Sequence, residues 1–399
     1  MNRRDFVRYA AIGAGSFAIP GGLYSTVSRT LTDPFRLGII GFGDRGSGIY
    51  KVLRDFKDEF RVTAICDNLP FRLDRARKQT TSDQITYFAD YRKLLDSNQV
   101  DAVIIATPLN EHFEQAKNSL LAGKHIYLEK TMAFSIQEAQ ELVKLAENHS
   151  KLVLQVGHQY RYSPLYYKVK EMISEGYLGN VTQIDARWDR NWNWRRPLPE
   201  PQLERQVNWR MYKEYSGGLV AELLSHQMDF IHWAFEATPD SLYGTGGIDH
   251  FKDGRETYDN VQVTARYESL GMIGNFGATC ANQYEDYSFI IKGSKGTVSL
   301  LMNDGIFYPE PESKKALEEV DGVSGATPLN WNDNKTGINL SQEKYKDGTF
   351  YAFEDFHRSL IQKSLPASNV YTGAKTAIAV ALSNQAIYQG SVENWPKTA

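Results

Sequence analysis

The sequence predicts an α/β protein of two domains, the first built on a parallel sheet and the second an α/β domain with a largely antiparallel, open sheet. Three observations support this prediction. The chain has 399 residues, which exceeds the usual size of one domain. Apolar runs alternate with helical patterns as far as residue 156. Beyond residue 157, segments alternate apolar and polar residues between glycine-rich turns.

The first strand and the first helix meet at a glycine-rich turn, Gly41-Phe42-Gly43-Asp44-Arg45-Gly46, which follows a β-branched run at 35–40. In this spacing the first glycine permits a tight turn and the second lets backbone amides approach a pyrophosphate. The third lets the helix, predicted over 45–56, pack close to the strand. The positive end of that helix faces the phosphate. The motif therefore predicts a dinucleotide site of the Rossmann type, in which all six motif residues contribute to cofactor binding.

The second predicted strand, 61–66, ends at Asp67, twenty-one residues after the last glycine of the motif. A carboxylate at this position binds the ribose hydroxyls of a dinucleotide. Its charge repels a 2′-phosphate and favours NAD. Arg72 and Arg75, in the helix predicted at 70–79, keep NADP open as an alternative. The predicted cofactor is NAD, with NADP not excluded.

Three more strands and two more helices complete the first domain, predicted over residues 31–156. The strands are expected at 101–106, 125–129 and 151–156, and the helices at 110–122 and 135–148. Their continuous apolar runs are typical of strands that are covered on both faces. Such a sheet binds its ligand at the carboxyl ends of the strands. We therefore expect cofactor contacts from the residues that follow two of these strands, namely Thr107, Pro108, Asn110, His112, Glu129 and Lys130.

Lys130 is also a candidate catalytic residue. Burial and neighbouring charges can lower the pKa of an amine towards neutrality, so that it polarises a carbonyl or accepts the proton of an alcohol. An exposed ion pair with Glu129 in a loop is the other interpretation. The sequence alone leaves the two equally open.

The second domain is predicted over residues 157–399. Half-exposed strands are expected at 181–186, 260–267 and 288–291, and helices that pack back on the body at 350–363 and 372–389. The polar stretch 309–347 has few aliphatic residues and predicts a long surface excursion.

The segment 217–229 places Glu222 and His226 four residues apart, on one face of a predicted helix. A carboxylate beside an imidazole orients its tautomer and raises its pKa, which suits general acid and base catalysis. A surface pair at this spacing is the alternative interpretation.

Tryptophan and arginine residues are concentrated between residues 187 and 210. Indole rings stack on sugars, and guanidinium groups bind hydroxyls or carboxylates, so this segment predicts a carbohydrate pocket. The same composition is typical of oligomer interfaces, which remain an alternative. The predicted substrate-binding residues are Trp194, Trp209 and Arg210, together with Tyr160 and Arg161 at the start of the second domain. A packing role for Tyr160 is nearly as well supported.

These motifs occur in the order found in the Gfo/Idh/MocA oxidoreductases, which the chain resembles from residue 35 to about residue 300. The resemblance rests on the glycine motif, Asp67, TPLNEH at 107–112, EKT at 129–131 and GGLVAELLSHQMD at 217–229. It implies an N-terminal Rossmann domain, NAD or NADP as cofactor, a sugar or polyol as substrate, and a homo-oligomer. The catalytic lysine of the family's Glu-Lys-Pro motif corresponds to Lys130. Thr131 replaces the proline, and Glu222 stands where many members have aspartate.

The N-terminus resembles a twin-arginine export signal, because Arg3 and Arg4 precede a short, weakly apolar stretch at 10–19. That stretch is too short to span a bilayer, and no cysteine follows it for a lipid anchor. Residues 1–30 are therefore predicted to be a signal and linker, and the protein to be periplasmic or otherwise exported without a stable membrane anchor. An ordinary N-terminal arm is the alternative.

The overall composition argues against other classes of partner. The net charge is −3 and no basic block is present, so nucleic acid is not expected as a partner. The two cysteines, Cys66 and Cys280, lie far apart, and no metal-binding spacing of cysteine and histidine occurs, so no metal site is expected.

An exported enzyme finds little free nicotinamide cofactor, so the cofactor is expected to be tightly bound. The main hypothesis is an exported NAD(P)-dependent oxidoreductase of a sugar or glycoside, in which Lys130 and His226 handle protons and Glu222 orients His226. One alternative is an NAD-dependent glycoside hydrolase that oxidises, eliminates and reduces again, as the similar family 109 glycoside hydrolases do. Others are a conventional cytoplasmic sugar or polyol dehydrogenase and a sugar-binding protein with a degenerate nucleotide site.

Overall fold

The computed structural model describes residues 33–80, 84–284, 286–310, 337–341 and 345–397. The predicted export signal at 1–30 and most of the predicted excursion at 309–347 lie outside these residues. Within the described part of the excursion, Ile338–Asn339 forms a short strand.

Six parallel strands form the first sheet, in the order β3-β2-β1-β4-β5-β6. They are β1 (Phe35–Ile40), β2 (Phe60–Cys66), β3 (Thr86–Phe88), β4 (Ala102–Ile105), β5 (His125–Leu128) and β6 (Leu154–Val156). Every residue of β4 is buried, as its continuous apolar run predicts. The strand order reverses between β1 and β4, and a crevice at the carboxyl ends of the strands is expected there.

Five helices connect these strands: α1 (Asp44–Leu53), α2 (Pro70–Gln79), α3 (Tyr91–Asp96), α4 (His112–Leu121) and α5 (Ile136–Asn148). A capping box begins α5, because Ser135 Oγ accepts from the Glu138 amide at 3.2 Å and Glu138 Oε2 accepts from the Ser135 amide at 3.0 Å. The predicted Rossmann-type fold is confirmed. β3 and α3 were not predicted, because three and six residues are too short for a clear periodicity.

Nine strands form the second sheet, in the order β14-β13-β12-β11-β7-β10-β9-β8-β15. They are β7 (Val181–Trp188), β8 (Ser241–Gly247), β9 (Asn260–Tyr267), β10 (Met272–Thr279), β11 (Tyr287–Gly293), β12 (Gly296–Leu301), β13 (Asp304–Pro309), β14 (Ile338–Asn339) and β15 (Val392–Asn394). Only the pair of β7 and β10 is parallel among the described pairings of this sheet. The predicted, largely antiparallel second sheet is thus confirmed.

The helices of the second half are α6 (Pro164–Ser174), α7 (Glu204–Val207), α8 (Ser225–Ala234), α9 (Gly348–Gln362) and α10 (Val370–Gln389). A π-helical turn, Val220–Leu224, runs directly into α8. This irregular turn matters for the site, because it contains Glu222 and leads directly to His226.

The C-terminal helices join the two sheets. On α9, Phe353 stacks on Tyr127 of β5 at 4.6 Å between ring centroids, and Phe356 stacks on Phe60 of β2 at 6.0 Å. α10 packs against both α5 and α8. A helix that lies between β14 and β15 of the second sheet in sequence therefore completes the hydrophobic core of the first sheet.

Candidate active site

A cavity of about 670 Å³ opens at the carboxyl ends of the parallel strands. It lies where the strand order reverses, the usual ligand site of such sheets. Ten of the predicted site residues line it: Gly41, Gly43, Asp44, Arg45, Asp67, Thr107, Pro108, Asn110, Trp209 and Arg210.

The glycine turn forms a cradle that suits a dinucleotide pyrophosphate. Gly41 has a φ of +89°, and a Cβ there would lie 2.6 Å from the Ala106 carbonyl oxygen. A Cβ at Gly46 would collide with the Gly41 carbonyl oxygen, so helix and turn approach as closely as the motif predicts. Gly43 faces the cavity, where the nearest atoms to an added Cβ belong to the Arg72 guanidinium at 3.9 Å. These residues fit NAD.

Asp67 supports the turn as well as facing the cavity. Its Oδ2 accepts from the Phe42 amide at 2.8 Å, and its Oδ1 accepts from the Leu69 amide at 3.0 Å. The nearest cation is Arg72, whose Nη1 lies 3.9 Å from Oδ2. Burial raises the pKa of the Asp67 carboxyl, an effect that Arg72 and the two amides oppose. The Phe42 side chain is fully buried in the core, so Phe42 serves the site through its backbone.

His112, predicted as a cofactor contact, lies behind the cavity wall instead. One ring nitrogen is 2.8 Å from the Thr131 carbonyl oxygen and the other is 3.1 Å from that of Thr107. Burial lowers the pKa of this imidazole. The ring lies between two strand ends, and in its neutral form its single N–H donates to one of these two carbonyl oxygens. Its role is to position Thr107 and Thr131.

Glu129 likewise acts through a neighbour. Its Oε1 lies 2.7 Å from both Nε and Nη2 of Arg45, and it does not line the cavity. Arg45 also donates from Nη1 to Thr349 Oγ1 of α9 at 3.2 Å. The pair therefore ties the start of α1 to the end of β5 and to α9.

Lys130 connects the two halves of the site. Its Nζ donates to the Glu222 carbonyl oxygen at 2.9 Å and to the Ala221 carbonyl oxygen at 3.1 Å, both in the π-helical turn. Burial lowers the pKa of the Lys130 ammonium, and the negative charges of Glu222 and Glu129 offset part of this decrease. The Lys130–Thr131 peptide bond is cis. The alternative of an exposed loop ion pair is wrong, because Glu129 is buried against Arg45.

The expected pairing of Glu222 with His226 does not occur. Glu222 Oε2 accepts instead from Arg210 Nε at 2.8 Å, and the Arg210 guanidinium lies over the Trp209 ring at 4.2 Å. The Glu222 carboxylate is therefore paired with Arg210, and the π-helical turn that contains Glu222 ends at Leu224, before His226. Burial raises the pKa of Glu222, but Arg210 and Lys130 outweigh it and the pKa is lowered.

His226 is buried with its Nδ1 unpartnered in the described part of the chain. Burial, followed by the charge of Lys130, holds the pKa of His226 well below its ordinary value. We expected a neighbouring carboxylate to raise this pKa, and that expectation is wrong. Tyr160 lies at 4.5 Å and Trp188 at 5.7 Å from the imidazole, between ring centroids. Burial raises the pKa of Tyr160 to about 12, so its hydroxyl stays protonated.

Arg161, predicted to bind substrate, is buried and bonded to other residues of the chain. It is 1% exposed and donates from Nε and Nη2 to the two oxygens of Asp229 at 2.8 and 2.6 Å. Its Nη1 donates to the Ala367 carbonyl oxygen at 2.7 Å. A buried guanidinium requires such partners, and they occupy its donors. The pair fastens the segment after β6 to α8.

The predicted aromatic residues divide between two places. Trp209 lines the nucleotide cavity. Trp194, which has a φ of +66°, is not among the residues that line this cavity. The Arg190 guanidinium lies 6.0 Å from its ring centroid. Arg190 also lies 5.0 Å from the ring of Trp188, next to His226.

One ion pair at the cavity was not predicted from the sequence. Arg196 lines the cavity and donates from Nε to Asp44 Oδ2 in the glycine turn at 3.1 Å. Arg75 donates to the other oxygen of Asp44 at 3.3 Å. The concentration of arginines between residues 187 and 210 indicated that this segment binds something polar. It could not predict that Arg196 pairs with Asp44, which lies 152 residues away in sequence.

None of the helices in the described part of the chain is long and apolar enough to cross a bilayer. No group of three or more histidine, cysteine, aspartate or glutamate side chains among the described residues could hold a metal ion.

Two family models match the chain. The model described as "Oxidoreductase family, NAD-binding Rossmann fold" matches residues 35–158, and the model of the GFO/IDH/MocA C-terminal domain matches residues 166–299. The first identifies the N-terminal half as an NAD-binding domain.

Curated relatives agree with these matches. Oxidoreductase P35 of Formosa agariphila is 30% identical over 271 residues, which are 66% of this chain and 78% of that protein. scyllo-Inositol 2-dehydrogenase (NADP(+)) IolW of Bacillus subtilis is 26% identical over 67% of this chain and 72% of its own length. Glycosyl hydrolase family 109 protein 2 of Shewanella sp. (strain ANA-3) is 32% identical over 47% of this chain. That match spans 42% of the length of the Shewanella protein.

Solved structures share the fold. An oxidoreductase domain protein from Kribbella flavida superposes with a TM-score of 0.74 at 19% identity and covers 92% of this chain and 100% of its own. The WlbA dehydrogenase from Bordetella pertussis, solved with NADH and UDP-GlcNAcA, superposes with a TM-score of 0.71 at 20% identity. It covers 92% of this chain and 99% of its own. With both domains matched in order and the nucleotide cradle intact, this chain belongs to the Gfo/Idh/MocA family of NAD-binding oxidoreductases.

Proposed function

We propose that this protein is an exported oxidoreductase that uses tightly bound NAD to oxidise a hydroxyl group of a sugar or glycoside. The observation that carries the proposal is the position of Lys130. It stands at the end of β5 and donates to carbonyls of the π-helical turn that leads into His226. Lys130, at the end of a strand of the nucleotide-binding sheet, is thus bonded to the turn of the second domain that precedes His226.

NAD, when bound, supplies the acceptor for the hydride that leaves the substrate carbon. The hydroxyl proton needs a base, and His226 is neutral near pH 7 because burial and cations lower its pKa. Two hydrogens of the Lys130 ammonium are held by carbonyls, and the third is free to orient the substrate oxygen. Glu222 holds Arg210 and contributes negative charge near Lys130.

The substrate class rests on the aromatic residues and on the relatives. Tyr160 and Trp194 are partly exposed and offer rings to the apolar face of a sugar, and the buried Trp188 packs against Tyr160. The IolW protein is named as an inositol dehydrogenase, and WlbA was solved with a sugar nucleotide. Both the aromatic residues and the relatives therefore support a polyhydroxylated ring as the substrate.

Export and cofactor retention are supported by different parts of the chain. Arg3 and Arg4 stand in a twin-arginine pattern, a route that carries folded proteins. The ion pair between Arg196 and Asp44 spans the cavity that would hold the nucleotide. We expect this pair to slow the release of a cofactor that is loaded before export.

Two measurements test this proposal. The full chain, purified without added nucleotide and then denatured, should release about one NAD per chain. Lys130→Met should keep the NAD and lose turnover by roughly 10²- to 10⁴-fold, the range for a positioned proton-transfer group. Lys117→Met removes a lysine on α4 and should change neither. Undiminished turnover in Lys130→Met contradicts the assignment, and an empty chain that binds NAD reversibly favours a conventional dehydrogenase.

Export is tested separately by cell fractionation. We expect the mature protein in the periplasm, and the variant with Arg3→Lys and Arg4→Lys in the cytoplasm. Equal amounts of both proteins in the cytoplasm, with an intact N-terminus, contradict export.

A second candidate function is glycoside hydrolysis, favoured by the similarity to the Shewanella family 109 protein. It needs no net oxidant, because the hydride returns to the substrate at the end of the cycle. Release of p-nitrophenol from p-nitrophenyl glycosides without added NAD would select it. Reduction of added NAD by a free sugar would select the dehydrogenase.

A further inference from the structure

We propose that the substrate carries an oxyanion group, which the Arg190 guanidinium binds beside His226. This inference rests on the proposed function, because it names the substrate class of the same site. The shared chemistry is a planar or tetrahedral oxyanion that accepts two hydrogen bonds. A carboxylate, as in a uronic acid, and a sulfate or phosphate ester are its possible sources.

Arg190 is held in place by its surroundings. It follows β7 directly, and its amide donates to the Thr279 carbonyl oxygen at 2.8 Å. The guanidinium lies 5.0 Å from the ring centroid of Trp188 and 6.0 Å from that of Trp194. Contact with aromatic faces orients the plane of a guanidinium and leaves its edge donors free.

The donors of Arg190 have no partner among the described residues. Its Nε is buried without a hydrogen bond, and no ion pair involves its guanidinium there. The other arginines downstream in this segment differ, because each pairs with a carboxylate: Arg195 with Glu204, Arg196 with Asp44, Arg205 with Glu214 and Arg210 with Glu222. An unpartnered buried donor is destabilising, so a ligand that completes it binds favourably.

The location of Arg190 points to substrate. Trp188, on which it rests, lies 5.7 Å from the His226 ring and 5.6 Å from the Tyr160 ring. Arg45 is paired with Glu129, and Lys130 lies near Glu222, so these cations are compensated by carboxylates. Arg190 has no such carboxylate partner among the described residues, and its charge is available to an anionic ligand.

Binding through the fork of Arg190 would also orient the substrate. Two hydrogen bonds to one oxyanion fix the direction of a sugar ring. The hydroxyl to be oxidised can then lie near His226 and Lys130. Arg190 is thus a specificity-determining residue as well as a source of affinity.

The experiment uses the full chain with NAD bound and matched pairs of probes. Methyl glucuronide is compared with methyl glucoside, methyl galacturonide with methyl galactoside, and each neutral glycoside with its 6-sulfate and 6-phosphate. Dissociation constants are measured by calorimetry, and kcat and KM wherever NADH forms. We expect at least one oxyanion class to bind roughly 10- to 100-fold more tightly than its neutral partner, the range for hydrogen bonds to a charged group.

Variants then assign the preference. Arg190→Gln should remove most of the preference for the oxyanion probe, because Kd and KM for that probe rise. Kd and KM for the neutral glycoside and the amount of bound NAD should be unchanged. Arg190→Lys should keep part of the preference, since charge remains without the fork. Arg187→Gln removes an exposed charge from β7, the strand that precedes Arg190, and should have no effect.

The outcomes separate this inference from the proposed function. A wild-type chain that holds NAD and prefers neutral glycosides overturns the oxyanion inference and leaves the oxidoreductase proposal intact, whether or not Arg190→Gln folds. An acid preference that survives in folded Arg190→Gln also overturns it. A chain that holds no NAD but retains the Arg190-dependent acid preference overturns the proposed function alone.

Discussion

At the scale of single residues, Asp67 and Arg161 are both fixed by buried partners, which are close in sequence for Asp67 and distant for Arg161. Gly41, Gly43 and Asp67 follow from a motif whose parts lie in one strand-turn-helix unit and the next strand. Arg161 has a partner in α8, and its burial against Asp229 depends on how the two halves pack. Spacing along the chain carries no information on such a partner.

The carboxylate of Asp67 controls the choice between NAD and NADP. It faces the cavity with Arg72 at 3.9 Å, so removing its charge should leave that guanidinium free to bind a 2′-phosphate. Asp67→Asn keeps an acceptor for the Phe42 amide. We expect the NADP affinity relative to NAD to rise about tenfold, the effect of roughly one hydrogen bond to a charged group. Fluorescence titration of both nucleotides measures it.

Two controls make this result specific. Asp67→Asn combined with Arg72→Gln should lose the gain for NADP, since the guanidinium is then absent. Asp90→Asn changes another acidic residue that lines the cavity and should leave the ratio unchanged. A ratio that stays constant in Asp67→Asn would show that Asp67 acts only as a support for the turn.

At the scale of elements, the π-helical turn is what the sequence did not reveal. The spacing of Glu222 and His226 predicts a continuous α-helix. The pattern of apolar residues does not distinguish the π-helical turn from an α-helical one. The same turn offers two carbonyl oxygens to Lys130. The long strands and helices were predictable because each repeats its period several times.

The segment between β7 and α7 should slow the release of NAD. Arg196, in this segment, is joined to Asp44 of the glycine turn across the cavity rim. Both side chains are substantially exposed, so the pair is weak and screened by salt. We expect Arg196→Ala to speed dissociation of NAD severalfold in low salt. The dissociation rate is measured by trapping released nucleotide.

Salt provides the internal check on this interpretation. The rate for the unaltered protein should rise with ionic strength towards that of Arg196→Ala, whose own rate should change little. Arg205→Ala removes an arginine of similar exposure that pairs with Glu214 away from the cavity, and it should match the unaltered protein. Equal rates for all three proteins in low salt would rule out the ion pair as a restraint.

At the scale of the whole molecule, the two sheets share their cores. α9 places Phe353 and Phe356 in the core of the first sheet, although its neighbours in sequence, β14 and β15, belong to the second sheet. Helical periodicity predicted α9 and its return to the body, but not which sheet it covers. That choice depends on aromatic packing between Phe353 and Tyr127, which only the folded chain displays.

Buried histidines at the junction of the halves make the stability of the fold depend on pH. Burial lowers the pKa of His158 from 6.5 to about 4 and that of His232 from 6.5 to about 3. Both lie near Asp229, which Arg161 already neutralises. Because each folded-state pKa is below the unfolded value, the unfolded chain binds more protons between pH 6.5 and 4. The stability that the neutral rings confer is present above pH 6.5 and is lost as pH falls through their folded values.

We therefore expect the thermal unfolding midpoint to fall between pH 7 and pH 5, with His158 alone removing about 2 kcal/mol of stability over that interval. His158→Asn should flatten this decline, because asparagine takes up no proton. His250→Asn replaces an exposed histidine and should reproduce the unaltered curve. Differential scanning calorimetry at pH 7, 6 and 5 measures all three proteins. Parallel curves for His158→Asn and the unaltered protein would mean that His158 is already protonated, or equally hydrated, in the folded state.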